Sequence, residues 1–257
     1  MSKTLNRVLS LIFATVLLAG GGAWMDAAQP DDEPEEPPVF EEAEIFVELN
    51  DTDGDLGLHT SIDGDPWLDL EIEGPGDREL LNIFSHGRMR AQGLTQLFIE
   101  SAEPEFDELH PADFFRRFPE GRYSIEGRAQ EGGTMRARAE LSHVMAARPG
   151  NIQLNRAQAA ESCDDRPPMV LPPVMIDWDP VTQSHPTIGK KGPVAISRYQ
   201  LFVERENVTF SLDLPPTVTQ FEIPAGVTAL GKEFKFEIIA RTATGNNTAV
   251  ESCFVVP

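Results

Sequence analysis

Short runs in which apolar and polar side chains alternate every second residue dominate this chain. That period is the geometry of a β-strand with one face on a core. The clearest is Trp67-Leu68-Asp69-Leu70-Glu71-Ile72-Glu73, closed by the turn residues Gly74-Pro75-Gly76-Asp77. Further strands are expected at Ile45–Leu49, Leu80–Phe84, Leu97–Glu100, Tyr123–Gly127 and Met135–Met145. Only Pro111–Phe118 carries helix punctuation, with proline and an acid at its start and Pro119-Glu120-Gly121 behind it. Residues 44–146 therefore read as a mostly antiparallel β domain with one short helix, and the chain as all-β.

The N-terminus has Lys3 and Arg7, then an apolar run from Val8 to Ala19, then Gly20-Gly21-Gly22-Ala23. Positive residues, a short apolar run and small residues describe a secretory signal peptide over 1–23, with cleavage after Ala23 or Ala28. The run is too short to span a bilayer, which takes about 20 apolar residues. Gly21 stands where a lipoprotein box needs cysteine, so no membrane anchor is expected, and the localisation is secreted or periplasmic. Residues 24–43 hold Asp31-Asp32-Glu33-Pro34-Glu35-Glu36-Pro37-Pro38 and read as an acidic, proline-rich linker. In an exported chain the two cysteines, Cys163 and Cys253, are able to form one disulfide; two free thiols are the alternative.

After a proline-rich stretch, a second series of strands begins with Asn151–Asn155 and continues through Val174–Val181, Ile196–Glu204, Thr219–Pro224, Phe234–Ala240 and Ser252–Val256. Trp178 lies on its second strand, Tyr199 on its third, and Ala240 precedes Gly245 at the end of the penultimate strand. In that order and spacing, residues 147–257 resemble a fibronectin type III domain. The resemblance implies an immunoglobulin-like β-sandwich packed around Trp178 and Tyr199, and a binding or spacer role with no catalytic residues. Two departures stand out. Phe234 occupies the place of the corner tyrosine, and a long insertion, Thr182–Pro193, is expected to project from one end of the sandwich.

The most pointed segment is Asn50-Asp51-Thr52-Asp53-Gly54-Asp55, followed by Asp63-Gly64-Asp65. Asp51, Asp53 and Asp55 match the spacing of the first three oxygen ligands of a calcium loop. Leu56 then stands where glycine is needed and Ile62 where a bidentate glutamate belongs, so the EF-hand pattern fails. The segment is either a hairpin in which Asp and Gly make a turn, or a calcium site of another kind. His59, His86, His110 and His143 show no metal-ligand spacing; His59 beside the Asp cluster is the one through-space candidate. Trp67, Phe84, Phe98, Phe106 and Phe114-Phe115 are either core or a ligand platform.

The chain has 42 acidic and 21 basic residues among 257, and residues 44–140 hold 22 acids and nine arginines with no lysine. A net charge of −21 excludes a phosphate-neutralising surface, so nucleic acid is not an expected partner. No GxSxG, GxGxxG or P-loop pattern occurs. The expected protein is an exported, non-catalytic binding or scaffold protein of the bacterial periplasm or cell surface, with a protein or carbohydrate ligand. The competing expectation is a secreted hydrolase or carbohydrate-active enzyme with its site in 44–146 and the fibronectin-type module as accessory. Asn50, Asn207 and Asn246 head glycosylation sequons, relevant only in a eukaryotic host.

Overall fold

A computed structural model describes residues 38–257. The expected signal peptide and residues 24–37 of the linker lie outside the described residues. The first half runs β1 (Phe40–Asn50), β2 (Asp55–Gly74), β3 (Arg78–Phe84), α1 (Gly87–Gln92), β4 (Leu94–Glu100), α2 (Pro111–Arg117), β5 (Gly121–Ala129) and β6 (Thr134–Leu141). The second runs β7 (Gly150–Leu154), β8 (Ala157–Gln158), β9 (Val174–Asp179), β10 (Ile196–Arg205), β11 (Val208–Leu214), β12 (Gln220–Ile223), α3 (Ala225–Thr228), β13 (Glu233–Thr242) and β14 (Asn247–Val255). The fold is all-β. The expected helix forms at Pro111, and His110 caps it by accepting from Ala112 N through Nδ1. A second short helix, α1, joins it, and β1 already begins at Phe40, inside the segment read as linker.

The second half is a sandwich. One sheet is β12-β9-β7-β8, and the facing strands are β11-β10-β13-β14. Trp178 and Tyr199 meet edge to face in its core, 5.4 Å apart, and Val181 N donates to Tyr199 Oη at 2.8 Å. Phe234, lacking the corner hydroxyl, stacks on Phe254 instead at 5.2 Å. In the first half β2 is 20 residues long and pairs with β1, β3, β4 and β5 in different stretches, with register shifts between Asp63 and Trp67 and between Trp67 and Asp69. The sheet thereby curls around a core of Ile45, Val47, Leu49, Trp67, Ile72 and Ile125, among others. Tyr123 Oη donates to Pro119 O, four residues back, so the first half has the corner tyrosine that the second lacks.

The two halves share one sheet. β1 pairs in parallel with β14 over Glu48↔Asn247, Leu49↔Thr248 and Asn50↔Ala249, so strand order runs unbroken from β11 to β6 in a ten-stranded sheet. Asn246, 1% exposed, seals the joint: Val47 N donates to its Oδ1, and its Nδ2 donates to Ser142 O and Val144 O. Thr248 Oγ1 donates to Ala146 O. Buried donors and acceptors left without partners cost about 1–3 kcal/mol each, so this asparagine fixes both strand and linker.

The insertion Thr182–Pro193 does not project, contrary to expectation. It folds back as a clasp over the first half. Ile188 enters the first-half core, and Lys190 pairs with Glu120. Ile188 N donates to His185 Nδ1 at 2.8 Å, which leaves the proton on Nε2 to donate to Asp51 Oδ1 at 2.8 Å. An apolar side chain inserted in a dry core outweighs the solvation that would favour an extended loop. Burial alone would raise the Asp51 carboxyl, but the hydrogen bond from His185 and the Arg148 guanidinium beside it outweigh burial and hold Asp51 below the usual carboxylate range. Cys163 and Cys253 are joined in a disulfide that ties the 159–173 segment to β14.

Asp51 has a folded value below its ordinary 3.8, so its contribution is present above that pH and lost as pH falls through the folded value. Asp51→Asn should lower unfolding free energy at pH 7 by roughly 1–3 kcal/mol in urea titrations. The gap to the parent protein should close on acidification from the ordinary 3.8 downward, as Asp51 takes up its proton. A gap that stays constant with pH would contradict an ionised Asp51 holding the clasp.

Candidate binding face

Along each strand of the shared sheet, the residues between core positions face the opposite side. On β13 the core takes Phe234, Phe236, Ile238 and Ala240, leaving Lys235, Glu237, Ile239 and Arg241 outward. On β1, Ile45, Val47 and Leu49 go inward and Glu44, Phe46, Glu48 and Asn50 outward. On β2, Leu56 and Leu58 go inward and Asp55, Gly57 and His59 outward. These outward residues form one continuous face, and it crosses the joint between the halves.

Across that face runs a stacked row. The Arg241 guanidinium lies over the Phe46 ring, 4.6 Å from its centroid. Phe46 stacks on His59 at 5.2 Å, and His59 meets the edge of Phe98 at 5.9 Å. The register explains the row: Phe46 is directly opposite His59, and Ser61, on the same face as His59, is opposite Phe98. Phe46 and His59 are buried by their neighbours, whereas Phe98 is 59% exposed and ends the row in solvent. Arg241 is pinned by Glu44 and by Asn247, which in turn donates to Glu48 at 2.7 Å.

His59 Nε2 donates to Glu103 Oε1 at 2.9 Å. Burial opposes protonation of this imidazole, but Glu103, Glu48 and Glu100 outweigh it and raise its pKa. The contact depends on Gly57: a Cβ built there would collide with the Glu103 carboxylate. Only a residue without a side chain lets Glu103 lie over β2 and reach His59.

Carboxylates crowd the same face. Glu237 is directly opposite Glu251 on β14, with Glu48 one strand further and Glu204 on β10 at its other side. Burial, then Glu48, Glu251 and Glu204, push Glu237 up to about 8, against the pull of Lys235. Burial, Glu103, Asp53 and Glu251 push Asp55 up to about 6. The three aspartates of the expected calcium segment are dispersed. Asp51 serves the clasp, Asp53 accepts from Asn50 Nδ2, and Asp55 opens β2 with its Oδ1 buried and unpartnered. Asp51–Gly54 is the β1–β2 turn, with Gly54 at φ 74°. Among the described residues, no three His, Cys, Asp or Glu side chains are gathered to hold one metal ion.

Of the other histidines, His86 is exposed ahead of α1 with no side-chain bond to that helix, and three have structural partners. His143 Nε2 donates to Phe118 O at 2.7 Å, His185 makes the clasp, and His110 caps α2. Of the aromatic candidates, Trp67 and Phe114 are core, while Phe84 and Phe98 are exposed. Asn246 is buried and the Asn50 side chain is occupied in its turn, so of the three sequons only Asn207, at the β10–β11 turn, is exposed. The stacked row and the acid cluster carried no sequence signal, because both assemble from strands up to 200 residues apart; Gly57 between two buried leucines was the one visible irregularity.

No family model matches the chain, and no curated protein matches it. Solved structures do. The FN1–FN3 domains of chicken CNTN1 match with a TM-score of 0.36 and 8% identity, over 85% of this chain and 65% of that one, just under two thirds of its length. A two-domain fibronectin type III segment of chicken tenascin matches at 0.26 and 8%, over 84% and 98%. A 1.5-MDa bacterial ice-binding adhesin matches at 0.25 and 11%, over 87% and 66%. Scores this low say nothing of what this chain binds. No helix among the described residues is long and apolar enough to cross a membrane.

Gly57→Ala should displace Glu103 and lower the titration midpoint of the His59 imidazole, followed by proton–carbon NMR, while the His143 and His185 resonances stay put. An unchanged His59 midpoint would remove Glu103 as the cause of its raised basicity.

Proposed function

We propose that this chain is an exported, non-catalytic binding or scaffold protein of a bacterial surface or periplasm. Its two sheet-built halves work as one rigid unit, and its protein or carbohydrate ligand is met on the outer sheet face around Phe98. The observation that carries this reading is the row Arg241–Phe46–His59–Phe98. Three of its members are fixed by ion pairs, stacking and burial, and the fourth is a large apolar ring presented to water on a rigid sheet. An immobilised, half-exposed aromatic ring loses little conformational freedom on binding, which is what a recognition hot spot requires. Support also comes from the titratable side chains. His59, His110, His143 and His185 each hold a strand, a helix cap or the clasp in place, so these four are committed to the structure and only the exposed His86 is uncommitted.

The test is binding of the purified protein to intact envelopes and to separated envelope protein and polysaccharide fractions. Phe98→Ala should weaken retention by about tenfold or more, with no change in the thermal unfolding midpoint. A variant that binds like its parent would sink the proposed face. Measured hydrolysis of an envelope polysaccharide or peptide would overturn the non-catalytic reading.

A further inference from the structure

Five neighbouring strands of the shared sheet place half-buried carboxylates side by side on the outer face: Glu204 on β10, Glu237 on β13, Glu251 on β14, Glu48 on β1 and Asp55 on β2. Glu103 lies over the last of these. The cations within the row are Lys235, 2.6 Å from Glu251, and His59, 2.9 Å from Glu103. Glu237 and Glu251 are direct cross-strand partners, an arrangement that is destabilising when both are ionised. The row crosses the joint between the halves, where β1 and β14 have only three paired positions, Glu48↔Asn247 to Asn50↔Ala249. By contrast β10 and β13 are paired over most of their lengths.

We propose that this joint is a proton-dependent latch: bound protons let the carboxylates of the two halves lie side by side, and their loss at mildly alkaline pH loosens the β1–β14 pairing while each half stays folded.

The groups facing Glu237 are Lys235 on its own strand, Glu204 on β10, Glu251 on β14 and Glu48 on β1. Those facing Asp55 are Asp53, Glu103 and Glu251, with the Asn50 backbone donating to it. Both acids titrate above their ordinary values in the folded protein, Glu237 up to about 8 and Asp55 up to about 6. A carboxyl raised on folding binds more protons in the closed state than in the open one. Its contribution is therefore complete below the ordinary value and drains away as pH rises through the folded value. For Asp55 that window runs from 3.8 to about 6, and for Glu237 from 4.5 to about 8. Loosening is local because the contacts that hold the halves elsewhere lie apart from the row: Ile188 in the first-half core, His185 on Asp51, and Asn246 on the linker. The short ladder is the weakest span that the repulsion acts on. This inference stands apart from the binding reading, since Phe98 takes no part in it.

The experiment is amide hydrogen exchange on the whole chain between pH 6 and pH 9, with intrinsic exchange corrected at each pH. The probes are the amides that cross the joint, Asp51 N to Ala249 O and Glu251 N to Thr52 Oγ1, against the β10 amides of Leu201 and Val203. Protection at the joint should fall by about tenfold or more over that range, while β10 holds. Glu237→Gln should abolish most of this fall, and Glu48→Gln should shrink it and move it to lower pH, because without that like charge Glu237 gives up its proton more readily. Uniform loss of protection over the whole sheet, no loss at the joint, or a Glu237→Gln variant with the parent's pH dependence would each overturn the latch. Should Glu237→Gln fail to fold, the Glu48→Gln shift decides by itself.

Discussion

An unpaired strand edge is the constraint from which the rest of this molecule follows. β14 is the last strand of the second half's sandwich, and its free edge would offer bare backbone donors and acceptors to any passing strand. Three devices close it. β1 takes Asn247–Ala249. The Thr52 hydroxyl accepts from Glu251 N. The segment held by the Cys163–Cys253 disulfide covers the end, with Val170 N donating to Val255 O and Val255 N to Pro168 O. Sealing the edge with a strand of the other half makes ten strands into one sheet. That continuity creates a face wider than either half has alone.

Closure by β1 has a geometric cost that the neighbouring contacts offset. The chain must leave β6, cross the end of the joint and enter β7. Residues 142–146 on that path would expose carbonyl groups to a dry interior. Asn246, just ahead of β14, and Thr248 within it satisfy Ser142, Val144 and Ala146, so strand pairing and the path from β6 to β7 are fixed by the same two side chains. The clasp does likewise from the far side: His185 is oriented by the Ile188 amide, and that orientation aims its proton at Asp51 in the β1–β2 turn.

Local pattern made the strands legible and long-range pairing did not. Trp67–Glu73, Met135–His143 and Phe234–Ala240 alternate in sequence and are strands because one face of each meets a core. Trp178 and Tyr199 are where a fibronectin-type sandwich would put them. Asn50–Asp65 read as a hairpin turn or a calcium loop because Asp and Gly favour turns, and Asp51–Gly54 is that turn. In the structure most of it is β2, since Leu56, Leu58 and Ile62 have a core to enter and tertiary packing overrides propensity. β11 was missed because it is an edge strand with Val208, Thr209 and Ser211 toward solvent. The insertion looked like a projecting loop because one buried isoleucine in twelve residues leaves no period to see. The binding face is a product of register, and register is set by partners, not by neighbours in sequence.

The acid row shows why a chain with twice as many acids as bases need not be uniformly repelled. Spread over an open surface, carboxylates are screened within about 8–10 Å at ordinary ionic strength. Packed side by side on a sheet they escape that screening, and the protein answers in two ways. It places Lys235 and the raised His59 among them, and it leaves Glu237 and Asp55 to keep protons that exposed acids would release. Neutralising every carboxylate by lysine would have given a stronger and less responsive joint. Holding some of the charge as protons couples the junction of the two halves to the acidity around it, a property that neither half has by itself.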